Sequence, residues 1–150
     1  MTVFKRFLCG LLAALFLAGA AWALQPEPLS LKVACVGDSL TYGTGAANRF
    51  TDSWPSVLAA AEGPLDLTTL NFGSYGRTVT PNRFLAYTNT RTYRQSLGAG
   101  ADVYLVMLGS NDLLLRGWER SLPQAYRALL QSYINLPQKP EVVVILPPDL

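Results

Sequence analysis

The sequence predicts an α/β domain, a doubly wound parallel sheet with helices on both faces in a three-layer α/β/α arrangement. Three observations predict it. Four short apolar runs each close on glycine or proline, the last two are apolar without in-and-out alternation, and helical patterns separate the runs. Continuous apolar strands suit a parallel sheet covered on both faces. Strand–helix–strand units of this length then cross over with a right-handed turn.

The first strand is read in Lys32-Val33-Ala34-Cys35-Val36, closed by Gly37, and the second from Leu65 to Asn71, closed near Gly73. Between them Ser53-Trp54-Pro55 opens a helix, because proline suits a first turn; Trp54, Val57, Leu58 and Ala61 share one face before Gly63-Pro64. Thr90 to Leu97, closed by Gly98, is a weaker helix pattern. Val103 to Leu108 forms the third strand and ends in Gly109. Ser121-Leu122-Pro123-Gln124 has capping-box spacing, and apolar residues from Leu122 to Ile134 follow at helical intervals. Val142 to Leu146 is the fourth strand and ends in Pro147-Pro148. No repeat or low-complexity linker interrupts this order.

Composition narrows the function. The chain has 150 residues, 50% hydrophobic and only 15% charged, and its N-terminus explains the low charge. Lys5-Arg6, the apolar run Phe7 to Leu17 and the small residues up to Ala21-Trp22-Ala23 follow the order of a secretory signal peptide. Residues 1–23 are therefore expected to be removed, giving a secreted or periplasmic protein with no stable membrane insertion; an uncleaved anchor is the alternative. Residues 24–150 then balance ten basic against ten acidic side chains, which argues against a nucleic-acid partner. They also keep a single cysteine, Cys35, most simply a small core residue. There is no histidine.

In an open parallel sheet, function gathers in the loops at the carboxyl ends of the strands. Here those loops are Gly37-Asp38-Ser39-Leu40-Thr41-Tyr42-Gly43, Asn71-Phe72-Gly73-Ser74-Tyr75-Gly76-Arg77-Thr78 and Gly109-Ser110-Asn111-Asp112. They suggest a hydroxyl nucleophile, Ser39, on a tight turn that faces oxyanion donors. A Gly73 backbone N–H is unobstructed by a side chain, the Asn111 amide supplies a second donor and the Ser39 N–H a third. Asp112 is expected to brace its loop by side-chain hydrogen bonds, and Asp38 to support the turn. Asp38, Asp52 and Asp112 have no recognised ligand spacing, so neither a metal nor another cofactor is expected. A Rossmann nucleotide site lacks its G-x-G-x-x-G after the first strand.

These three blocks resemble the GDSL, or SGNH, family of serine esterases, from about Leu31 to the last residue. The resemblance implies a flavodoxin-like SGNH-hydrolase fold, Ser39 as nucleophile, and Gly73 and Asn111 in the oxyanion hole. The family's fourth block, a D-x-x-H segment carrying the base histidine and its aspartate, has no counterpart in the sequence. The chain is accordingly read as cut off after the fourth strand of a five-stranded sheet, and residues 24–150 are expected to be inactive and poorly folding. Asp149 is not read as a substitute base. Stretches such as Tyr87 to Gln95 and Leu136 to Val142 resemble secreted acetylesterases that act on carbohydrate O-acetyl esters. Lysophospholipase or acyl thioesterase activity, and a carbohydrate-binding pseudoenzyme, are the alternatives. For Tyr42, Tyr75 and Tyr87, loop packing is the plainer expectation than sugar stacking.

Overall fold

A computed structural model describes residues 29–148. Residues 1–23, read from the sequence as a signal peptide, and Asp149 lie outside the described residues. The elements run β1 (Leu29–Gly37), α1 (Ser39–Tyr42), α2 (Arg49–Asp52), α3 (Trp54–Ala59), β2 (Leu65–Gly73), α4 (Arg91–Leu97), β3 (Val103–Met107), α5 (Trp118–Ile134) and β4 (Glu141–Val144). Single 3-10 turns occupy Tyr87–Asn89 and Asp112–Leu114. All four strands are parallel, in the order β2-β1-β3-β4. The doubly wound α/β class is therefore what the chain adopts.

Pleating sorts the side chains by face. Ala34 and Val36 of β1, with Tyr104 and Val106 of β3, point into the main core, which Tyr93 and Leu97 of α4 and Leu129 and Tyr133 of α5 complete. On the opposite face, next to Val33 in the register, Thr69 donates its hydroxyl to the Pro55 carbonyl of α3 at 2.9 Å. The core is rich in phenols, and the hydroxyls of its three fully buried tyrosines are matched, as their desolvation requires. Tyr104 donates to the Ser96 carbonyl at 2.8 Å, Tyr133 pairs with the Ser96 hydroxyl at 2.8 Å, and Tyr87 donates to the Phe72 carbonyl at 2.7 Å.

Some boundaries moved. The long helix starts at Trp118, ahead of the Ser121 cap position, because Gly117 in the left-handed region (φ 71°) turns the chain into it. Pro123 sits inside it, and Ser121 turns its hydroxyl to the Trp118 carbonyl. Thr90 caps α4 from just outside it, accepting from the Tyr93 amide at 2.9 Å. Helices α1 and α2 are too short to leave an apolar period. Strand β4 lies at one end of the sheet, with Val143 and Val144 both nearly half exposed.

Cys35 lies fully buried in β1, and burial pushes its thiol up to about 12. Only a thiolate alkylates readily. Iodoacetamide at about pH 8 is therefore expected to leave Cys35 unmodified in the native chain and to label it once denaturant is added. Peptide mapping checks this, and native labelling of Cys35 would mean that β1 opens.

Candidate functional site

The register of the sheet assembles the site. Gly37 at the end of β1 stands beside Gly73 of β2 and Met107 of β3, so the loops that follow leave from one edge. The Ser74 amide donates to the Gly37 carbonyl at 2.9 Å, which ties the first two loops together where the strands end.

Ser39 is the first residue of α1 and is half-buried. Asp38 caps this helix, its carboxylate accepting from the Leu40 amide at 3.0 Å and its carbonyl from the Tyr42 amide at 2.9 Å. Gly43, at φ 96°, ends the turn, and the Thr44 amide returns to the Ser39 carbonyl at 2.9 Å. The single turn is thus closed at both ends, and the Ser39 backbone is fixed although its side chain is not deeply packed.

Gly73 is buried hard against α1. A Cβ there would stand 2.5 Å from the Tyr42 Cα and 2.6 Å from the Thr41 carbonyl carbon, so only glycine allows this approach. Its N–H donates to Asn71 Oδ1 at 2.9 Å, while Asn71 Nδ2 donates to the Thr41 carbonyl at 2.8 Å. Asn71 therefore clamps strand to helix. Sequence reasoning gave it no role; the only local signal was an Asn two residues before a Gly, the spacing of an Asx turn. Trp54 adds a second link, its indole N–H reaching Thr41 Oγ1 at 3.3 Å.

The third loop joins the other two. Asn111 Nδ2 donates to the Arg77 carbonyl at 3.0 Å and to Asp38 Oδ2 at 3.3 Å. The fully buried Asp112 accepts from the Val79 amide at 2.8 Å, the Thr80 amide at 2.8 Å and the Thr80 hydroxyl at 2.7 Å. Its carboxylate thus fastens the neighbouring 77–80 segment, where the sequence had suggested a brace within its own loop. Ser39, Asp38, Gly73, Asn111 and Asp112 all come together at this edge. Two of the three expected oxyanion donors, the Gly73 amide and the Asn111 side chain, already have acceptors within the chain.

Electrostatics follow from burial. Loss of water pushes the Asp38 carboxyl above the usual carboxylate range; the Leu40 amide and the Ser110 hydroxyl pull it down, and Asp112 nearby adds to the rise. The Tyr126 phenol is raised chiefly by burial, with Asp112 and Asp38 contributing. Among the described residues, no three histidines, cysteines or acids gather as a metal-ligand set. Of the aromatic residues, Tyr87 is wholly buried, whereas Tyr75 is exposed and Tyr42 carries the Arg49 guanidinium 3.7 Å above its ring. A cleft of about 650 Å³ beside α1 is lined mainly by apolar groups, among them Leu40, Trp54, Met107, Ile145 and Leu146.

The model of the GDSL-like lipase/acylhydrolase family matches residues 35–150. An acetylxylan esterase of Xylanibacter ruminicola is 30% identical over 94 residues, which is 63% of this chain and 19% of that protein. Among solved structures, the Clostridium thermocellum family 3 carbohydrate esterase superposes with a TM-score of 0.59 at 19% identity, covering 77% of this chain and 60% of that one. AlinE4, an SGNH-hydrolase family esterase, gives 0.55 at 24% identity, with 81% and 59% covered. The two structures share the fold. The chain spans less than two thirds of the length of each relative.

Proposed function

This chain belongs to the GDSL-like lipase/acylhydrolase family, and we propose that it carries the nucleophile and oxyanion part of a serine esterase. In this reading Ser39 Oγ attacks the ester carbonyl carbon, and its proton passes to a general base. The tetrahedral intermediate expels the alcohol, leaving an acyl group on Ser39, which water then removes. The 150 residues contain no histidine, so the base this cycle needs is not a histidine among them. The observation that carries the reading is the convergence of the capped Ser39 turn, Gly73 and Asn111 at one sheet edge, held by the bonds from Asn111 to Asp38 and Arg77.

The oxyanion donors in this proposal are the Gly73 and Ser39 amides and the Asn111 side chain. At rest the Gly73 N–H is held by Asn71 Oδ1, so stabilising the oxyanion means sharing that hydrogen in a three-centre bond. An acetyl ester of a carbohydrate is the favoured substrate class. The acetylxylan esterase relative supports it, as do the neutral body and the exposed Tyr42 and Tyr75 around the turn. The reading includes export through the leader in residues 1–23. A second reading, hydrolysis of longer acyl esters or thioesters, is favoured by the apolar cleft next to Leu40 and Trp54. Rates on acetylated xylan and p-nitrophenyl acetate against p-nitrophenyl octanoate separate the two, and octanoate preference would overturn the acetyl assignment.

Asn111→Ala tests the donor directly in catalytically active protein. A preorganised oxyanion donor acts mainly once charge develops on the carbonyl oxygen, so kcat is expected to fall about 10² to 10³-fold with KM little changed. A raised KM with unchanged kcat would remove Asn111 from the oxyanion site.

A further inference from the structure

We propose that Asp38 is a positioning residue whose buried carboxylate sets the nucleophile turn and the Asn111 amide in one fixed relation. The inference rests on the esterase reading only for its kinetic consequence. Asp38 is 1% exposed, and its two oxygens face different loops. Oδ1 accepts from the amide of Leu40, the residue after Ser39, at 3.0 Å. Oδ2 accepts from Asn111 Nδ2 at 3.3 Å, across 73 residues of sequence.

The Asn111 side-chain nitrogen has two hydrogens and no more. One is held by the Arg77 carbonyl at 3.0 Å, and the other points to Asp38 Oδ2. Two acceptors on one planar group leave the amide no free rotation, so its plane and direction are fixed before any ester arrives. The bond to Asp38 is the longer of the two, at 3.3 Å against 3.0 Å. It is the one that yields when an oxyanion forms, while the Arg77 carbonyl keeps the amide in plane. A carboxylate suits this position because both of its oxygens accept. A carboxamide satisfying Leu40 through oxygen would turn an NH2 towards another NH2. A serine keeps the helix cap but is too short to reach the third loop.

Asp38→Ser therefore separates the two duties of the residue. In catalytically active protein it is expected to keep KM and the melting temperature near those of wild type. Its kcat should fall by roughly tenfold or more, and by less than about threefold in an Asn111→Ala background, since coupled sites are non-additive. A role confined to capping predicts wild-type kcat for Asp38→Ser, and that result, or independent multiplication of the two losses, overturns the proposal. A measurement free of catalysis runs beside it: in ¹⁵N-labelled protein, the side-chain NH2 signals of Asn111, identified by their loss in Asn111→Ala, are expected to shift in Asp38→Ser and in Asp38→Asn. Unmoved signals in a folded variant overturn the proposal. Shifted signals in a protein that hydrolyses no ester would keep the positioning role and overturn the esterase reading instead.

Discussion

Ser39→Ala is expected to lower kcat for ester hydrolysis in catalytically active protein by on the order of 10⁶, the size of effect seen when a serine hydrolase loses its nucleophile. What remains is catalysis by oxyanion donors and binding alone. The fold should not register the change. The cap of α1 is made by the Asp38 carboxylate and by backbone groups, not by the Ser39 side chain. Alanine is also the best helix former, so stability should stay within about 0.5 kcal/mol of wild type. The variant thus isolates the chemistry. A serine-directed phosphonate is expected to label Ser39 in the parent and nothing in the variant. Labelling of a different residue, or turnover surviving the substitution, would remove Ser39 from the nucleophile role.

The three loops were legible because their signals are local. Gly37-Asp38-Ser39, Asn71-x-Gly73 and Gly109-Ser110-Asn111-Asp112 each follow an apolar strand, and parallel order brings such loops to one edge. What joins the loops was not legible, because it depends on approach in space. Asn71 finds the Thr41 carbonyl across 30 residues, and Asp112 finds Val79 and Thr80 across 33 and 32. No spacing rule reaches that far. The same division holds for the fold. The apolar runs of β3 and β4 declared themselves, whereas α1 and α2, at four residues each, are shorter than the period that would reveal them. At the start of α5, the capping-box pattern at Ser121 lost to Gly117, whose left-handed backbone caps the helix four residues earlier.

Gly73→Ala should be strongly damaging for a single added methyl, and the reason is the backbone around it. An added Cβ would stand 2.5 Å from the Tyr42 Cα and closer still to the Tyr42 nitrogen. Neither atom is the free end of a side chain, so relief requires α1 or the end of β2 to move. Either shift strains the Asn71 bond to the Thr41 carbonyl at 2.8 Å and the Ser74 bond to the Gly37 carbonyl at 2.9 Å. Overpacking of about 1 to 3 kcal/mol, with about 1 kcal/mol for each bond disturbed, brings the expected loss to about 3–5 kcal/mol. For a domain of this size that lowers the melting temperature by more than about 10 °C. Alanine keeps the N–H, so any accompanying loss of hydrolysis reports displaced geometry and not a missing donor. Gly63→Ala is the matched control: a Cβ there meets nothing within 4 Å, and stability should change by less than about 0.5 kcal/mol. Melting curves of the two variants decide the matter. A Gly73→Ala protein melting with wild type would mean that β2 and α1 are not packed as tightly as this geometry requires, and the close approach that places Ser39 beside the second loop would fall with it.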